Sequence, residues 1–156
     1  MLSRKASPLR IYVFYSYLSL CMNMVHPVTP TLVQELGFSS LLYSSLSSTL
    51  ALTNFLCAPV WGYYSDRHGR RPVLLVGTVM YACSQFLFSR ATTVPVLLIA
   101  RLCGGIGSAG YITAALAYIV DVSGPEARGR NLAVFTALTS ISSSLGYLTG
   151  GLLGTI

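Results

Sequence analysis

Acidic residues are almost missing from this chain. Its 156 residues include only four of them, Glu35, Asp66, Asp121 and Glu126, against ten lysines and arginines, and charged residues of both signs make up just 9%. Soluble domains carry about a quarter, so water is not the solvent for most of these residues. Histidine is also scarce: His26 and His68 lie far apart in the sequence. No nucleophile and base constellation, metal-ligand spacing or phosphate-binding glycine loop can be read from what remains, so no enzyme, cofactor or metal is expected. The four cysteines fall one to an apolar run (Cys21, Cys57, Cys83, Cys103), without the close spacing of a metal site or disulfide framework. They read as small packing residues. The formal net charge of +6 sits in short clusters between apolar runs, with no basic face interleaved with aromatics, which argues against nucleic acid.

What the chain has is hydrocarbon: 53% of residues are apolar. Five runs approach the ~20 residues a helix needs to cross a bilayer, at about 11–33, 41–64, 73–89, 94–120 and 131–154, the third being the shortest. Lipid offers no partner to backbone N–H and C=O groups, so these runs are expected as helices. The alternating ten-residue strands of a membrane barrel are not seen. Arg4, Lys5 and Arg10 precede the first run, Arg67, Arg70 and Arg71 follow the second, and Arg128 and Arg130 follow the fourth. Only Arg90 lies on the opposite side. By the positive-inside rule the N-terminus is expected in the cytoplasm of a multi-pass protein of the plasma (inner) membrane. A signal peptide is the alternative for the opening stretch, but its apolar run continues into "MVHPVTPTL" without a clear cleavage site.

The runs carry small and polar residues on particular faces. Gly104, Gly105, Gly107 and Gly110 cluster in the fourth, and Gly146, Gly150 and Gly154 recur every four residues in the fifth, beside Gly151. Such spacing lets helix backbones approach closely. Gly105, Gly107, Gly146, Gly150 and Gly151 are therefore expected at helix contacts. Ser45, Thr49 and Asn54 in the second run and Asn23 in the first face either protein or a watery cavity.

Charge concentrates at one place. Within "GYYSDRHGRRPVLL" (62–75), five ionisable side chains occupy the six positions 66–71. Gly62, Asp66, Gly69, Arg70 and Arg71 form the pattern G-x-x-x-D-x-x-G-R-R. Gly62 would admit a neighbouring helix, Gly69 a tight reversal, and Asp66 an anion able to meet a helix N-terminus or a cation. The bland reading is a solvated turn whose arginines only fix orientation. The pattern resembles the signature of the major facilitator superfamily between its second and third helices. The resemblance implies a conformational latch, in which Arg70 joins an acidic partner, Asp121 in "AYIVDVSGPEARGR", when a transporter opens outward.

A second stretch, "RLCGGIGSAG" (101–110), is similar to the family's helix-four pattern, with Arg101, Gly105, Gly107 and Ala109 in place and Gly104 where glutamine is usual. Arg101 lies about seven residues, or roughly 10 Å, inside its run. A cation at that depth either serves a cavity or a coupling step, or snorkels to the surface. "CAPVWGYYSDRHGRRPVLLVG" and "HPVTP" resemble the branch of tetracycline and multidrug exporters. The chain departs from that branch at Leu18 and Ser84, where acidic residues are usual, and at Tyr147, where proline is usual in helix five. With every acid at or near the end of a run, no carboxylate here carries a proton through the membrane.

Together these readings predict an all-α membrane protein. Residues 1–156 are expected as an incomplete N-terminal six-helix bundle of the major facilitator fold, five transmembrane helices with the sixth helix and second bundle absent. The resemblance implies a fragment of a secondary transporter, exporting a drug or small hydrophobic molecule in the full-length parent, with proton coupling left open. Alone it is not expected to transport, because the missing half supplies the other side of the rocking motion. A sugar or metabolite symporter is the alternative, as is a nontransporting membrane protein that associates with a full-length relative.

Overall fold

The computed structural model describes residues 8–35 and 37–154. They form six helices: α1 (Pro8–Asn23), α2 (Val28–Glu35), α3 (Ser40–His68), α4 (Arg70–Arg90), α5 (Val94–Val122) and α6 (Arg128–Leu153). No strand occurs among the described residues. Four helices, α3 to α6, are long and apolar enough to cross a membrane.

The first apolar run differs from the expectation of one continuous span over 11–33. It is two helices separated by a turn at residues 24–27. Pro27 supplies the reason: it has no N–H for the Asn23 carbonyl, and its ring disfavours helical geometry at His26. The Asn23 carbonyl instead accepts the His26 N–H at 3.3 Å, a tighter turn than the α-helix. Helical bonding resumes at once, since the Thr29 N–H and hydroxyl both donate to the Val25 carbonyl, at 3.2 and 2.9 Å. Pro30 then falls in the first turn of α2, where no intrahelical N–H is required. The third run, expected as the shortest at 73–89, extends to 21 residues as α4.

The chain divides into two compact units, residues up to Glu35 with Tyr118 onward, and Leu36–Ala117. In the first, α1 and α6 lie side by side. The Tyr12 hydroxyl donates to the Asn131 carbonyl at 3.2 Å, the Tyr15 and Phe135 rings meet at 4.7 Å between centroids, and the Ser19 and Ser143 hydroxyls are 2.8 Å apart. Residue numbers rise together along both helices, so α1 and α6 are parallel. Gly146 and Gly150 seat this pair. A Cβ built on Gly146 would lie 2.5 Å from the Leu20 carbonyl oxygen, and one on Gly150 only 2.1 Å from that of Met24. Polar contact reinforces the seam, with Asn23 Nδ2 donating to Ser143 Oγ at 3.1 Å and to the Ser19 carbonyl at 2.7 Å. Of the two readings open for Asn23, the structure shows helix packing. Gly151 is placed differently: among the described residues nothing lies within 4 Å of its built Cβ.

In the second unit, α3 and α4 pack on α5. Gly105 presses on Leu50 and Thr53, and Asn54 Nδ2 donates to Ser108 Oγ at 2.8 Å, so α3 and α5 run parallel. The α4 contacts run the other way. Gly77 meets Tyr111, Tyr81 meets Gly107, and Ser84 meets Gly104, which makes α4 antiparallel to α5. At their crossing the backbones nearly touch: a Cβ on Gly77 would lie 2.6 Å from the Tyr111 nitrogen, and one on Gly107 the same distance from that of Tyr81. Ser45 and Thr49, read from sequence as part of a polar stripe with Asn54, spend their hydroxyls on carbonyls of their own helix. The four cysteines are free, and the packing role expected of them does not hold for Cys21 and Cys83, which are exposed on helix surfaces.

Candidate functional site

The charged turn occupies the junction of α3 and α4. At 29 residues α3 is about 43 Å long at 1.5 Å per residue, more than the ~30 Å of a hydrocarbon core. Its final turns can therefore stand in water while its middle stands in lipid. One residue, Gly69, separates the two helices, with φ 92° and ψ 159°. Side chains essentially never adopt that backbone geometry, and glycine does so freely. Pro72 then takes the third position of α4, where a missing N–H costs nothing.

This reversal sets the charges. Arg70, the first residue of α4, reaches back over Gly69, and its Nη1 donates to the Asp66 carboxylate and to Ser65 Oγ, the latter at 3.2 Å. Ser65 is buried, while the Asp66 side chain is two-thirds exposed. A pair so open to water contributes only about 0.3–0.5 kcal/mol, so its value lies in orientation rather than in holding the fold. Arg67 lies over the Tyr63 ring at 4.4 Å, His68 stacks on Tyr64 at 4.0 Å, and Arg71 is exposed. Asp121 is the penultimate residue of α5, within the other unit. Gly62 is not required by packing as the sequence suggests: a Cβ there would sit at an ordinary 3.7 Å from Thr113.

Arg101 occupies the third turn of α5 and is 4% exposed. Its guanidinium lies 3.8 Å from the centre of the Phe88 ring on α4. Tyr43 and Tyr81 are its electrostatic neighbours. Burial on this scale excludes a side chain that has snorkelled to the surface, one of the two alternatives open from sequence. The planar guanidinium is suited to such stacking and an ammonium is not.

Sequence reasoning missed Trp61. Its indole Nε1 donates to the Ile106 carbonyl at 2.8 Å, tying the end of α3 to the middle of α5, and its ring covers Gly110, whose Cβ would come within 3.1 Å of it. Gly77 was missed too. A lone glycine in an apolar run carries no signal by itself, whereas a single tryptophan two turns before a charged loop could have prompted the question of its partner. Among the described residues, no group of three metal-ligating side chains comes together.

The turn is thus a one-residue reversal that carries an aspartate and arginine pair between two long helices. Comparison with known proteins decides the matter, since the profile of the Major Facilitator Superfamily matches residues 11–156. The chain belongs to that superfamily. Its members are transporters, and this chain is accordingly an integral, multi-pass membrane protein. Among its curated relatives, Multidrug resistance protein 1 of Bacillus subtilis is 31% identical over 144 residues, covering 92% of this chain and 36% of the relative. The class C tetracycline resistance protein of Escherichia coli is 34% identical over 139 residues, covering 86% and 35%. The quinolone resistance protein NorA of Staphylococcus aureus is 24% identical over 150 residues, covering 94% and 39%. This facilitator chain thus spans little more than a third of the length of the relatives it matches.

Proposed function

We propose that this chain supplies the first helices of a facilitator that exports drugs or other small hydrophobic molecules. The observation that carries the reading is the agreement among relatives: proteins named for multidrug, tetracycline and quinolone resistance each align with nearly the whole chain. In this reading the N-terminus and the Gly69 turn face the cytoplasm, in line with the arginines and lysines that flank the odd connections. Gly62, Asp66, Gly69, Arg70 and Arg71 act as a conformational latch together with Asp121. The support is physical: a pair worth little to the fold, on a turn with almost no slack, is suited to being broken and remade during a transport cycle. Arg101 serves the cavity. It is a fixed cation inside the membrane, and proton coupling would use acids supplied elsewhere in the complete transporter.

The test is efflux in a drug-hypersusceptible bacterium expressing the complete transporter that carries these residues. Ethidium or tetracycline should leave the cells faster than from cells lacking it. Reversing the charge of Asp66, Arg70 or Asp121 should abolish that difference, and reversal of Arg67 should spare it. Equal tolerance at all four positions would reduce the turn to an orientation signal. Saturable sugar uptake without drug efflux would replace the exporter with a symporter, the reading that Tyr147 in place of an exporter's proline favours.

A further inference from the structure

The charged turn hangs from a side chain that its own pattern does not include. Higher on the seam between α3 and α5, Gly105 meets Leu50 and Thr53, and Asn54 donates to Ser108. Beyond Asn54, the 2.8 Å bond from the Trp61 indole to the Ile106 carbonyl is the one hydrogen bond that joins these two helices among the described residues. From there α3 runs on for seven residues, Gly62 to His68, or about 10 Å. Those residues include Ser65 and Asp66, both partners of Arg70. Where the turn holds its charges relative to α5 is therefore decided at Trp61.

The indole is fitted to α5 at two points. A helical carbonyl accepts the N–H four residues on, here that of Gly110, and keeps a second lone pair. The indole N–H can reach that lone pair because residue 110 is bare: a Cβ there would lie 3.1 and 3.2 Å from the ring atoms Cε2 and Cδ2. The same point is 3.3 Å from the Gly77 Cα on α4. The ring thus lies where α4 and α5 cross in backbone contact. Trp61 is eight residues before Gly69 and Gly77 eight after it, so both arms of the turn are fixed about 12 Å from its apex.

From Trp61 the contacts continue down α3. The Trp61 and Tyr64 rings meet edge to face at 6.1 Å between centroids, and Tyr64 stacks on His68 at 4.0 Å. The carbonyl of Tyr64 can only accept, so His68 Nδ1 donates to it, at 3.2 Å. Rings one turn apart on a shared face thereby stiffen the end of α3 up to the residue before Gly69. The exposed pair of Arg70 and Asp66 is too weak to hold these turns in place, and hydrogen-bond lengths tolerate only about half an ångström of error. A pair of this kind depends on a support that delivers its members in register.

We propose that Trp61 is a positioning residue for the latch: its indole, held on Ile106 and Gly110, fixes the place at which the end of α3 presents Asp66 and Ser65 to Arg70. The assignment rests on reading the turn as a latch. It separates two glycines of α5, since Gly107 is bare for the Tyr81 backbone and Gly110 is bare for a ring. It also separates Trp61 from Asn54, which makes a bond of the same 2.8 Å length to α5 but two turns higher, where Gly105 already seats the seam.

The complete transporter that carries these residues, freed of its native cysteines, is spin-labelled at Arg67→Cys beside the turn and Leu116→Cys on α5, both exposed positions. Pulsed electron paramagnetic resonance in lipid vesicles then reads the distance between the labels. Trp61→Phe, which keeps a ring and loses the donor, should shift and broaden that distance. In the unlabelled protein it should lower the maximal rate of ethidium efflux per transporter about fivefold, the effect of one lost hydrogen bond, with KM unchanged. Asn54→Ala should lower Tm by a similar amount and leave both distance and rate as they were. Gly110→Ala favours the helix and keeps Trp61 but sets a methyl against its ring, so it should shift the distance even if Trp61→Phe fails to fold. An unchanged distance in these Trp61 and Gly110 variants overturns the proposal. Equal shifts in Asn54→Ala overturn it too, because any tie between α3 and α5 would then suffice. So does a shifted distance with an unchanged rate in a transporter whose efflux is abolished by charge reversal at Asp66. Failure of the latch reading has a different signature: reversals at Asp66 and Arg70 are tolerated, while Trp61→Phe still moves the labels.

Discussion

Two adjacent glycines in α6 should respond in opposite ways to the same substitution. A methyl group on Gly150 would point into the backbone of the turn that follows α1, with the Met24 oxygen at 2.1 Å and its carbonyl carbon and Cα both at 2.8 Å. Side-chain carbons essentially never come within 3.0 Å of another heavy atom, and backbone cannot swing aside as a flexible side chain can. Gly150→Ala must therefore push α6 away from α1 by roughly an ångström. Overpacking costs about 1–3 kcal/mol, and an obstacle made of backbone puts this case near the upper end. Alanine recovers about 1 kcal/mol through its better helix propensity. The net loss is then about 2 kcal/mol, or about 4–8 °C in Tm for a chain of this size. Gly151→Ala meets nothing among the described residues, so only the propensity gain remains and Tm should rise by about 2–4 °C. Thermal unfolding of the full chain in mild detergent, followed by far-ultraviolet circular dichroism, measures both. Equal shifts of the same sign would refute the argument that this seam is set by contact of Gly150 with the Met24 carbonyl.

Two further outcomes test the second unit. Gly69→Ala forces a side chain into a backbone geometry that costs about 1–3 kcal/mol, and the same unfolding measurement should show it, while Gly62→Ala, with ordinary contact to Thr113 at 3.7 Å, should leave Tm unchanged or slightly higher. Arg101→Lys keeps the charge but loses the planar stack on Phe88; a loss of about 1–2 kcal/mol is expected from a desolvated cation and ring contact, partly reproduced by Phe88→Leu, and full stability in the lysine variant would remove Phe88 from the account.

The extent to which the sequence announced this structure depended on whether the signal was local. Gly69 was legible because a glycine between two helical runs, flanked by charges, has few uses other than a reversal. The glycines of α5 and α6 were legible as sites of close helix contact, those of α6 as one bare face because Gly146, Gly150 and Gly154 recur every four residues. Their partners were not. Nothing in residues 146–150 says that Leu20 and Met24 will be the carbonyls they meet, because that pairing is fixed by how α1 is threaded more than a hundred residues earlier. Proline shows the same limit. Pro27 ends α1, yet Pro59 lies inside α3 without ending it, so the residue type alone does not say which proline breaks its helix. Trp61 escaped notice because its bond to Ile106 joins two helices 45 residues apart.

The single residue between α3 and α4 also bears on how force travels. A linker of several residues would absorb a small tilt of one helix in its own torsions and pass little of it on. Gly69 offers two torsions, and the Arg70 bridges to Ser65 and Asp66 brace the corner they control. The two rods therefore move as a bent lever, and inserting a few flexible residues at this corner should disconnect them while leaving the chemistry of each untouched.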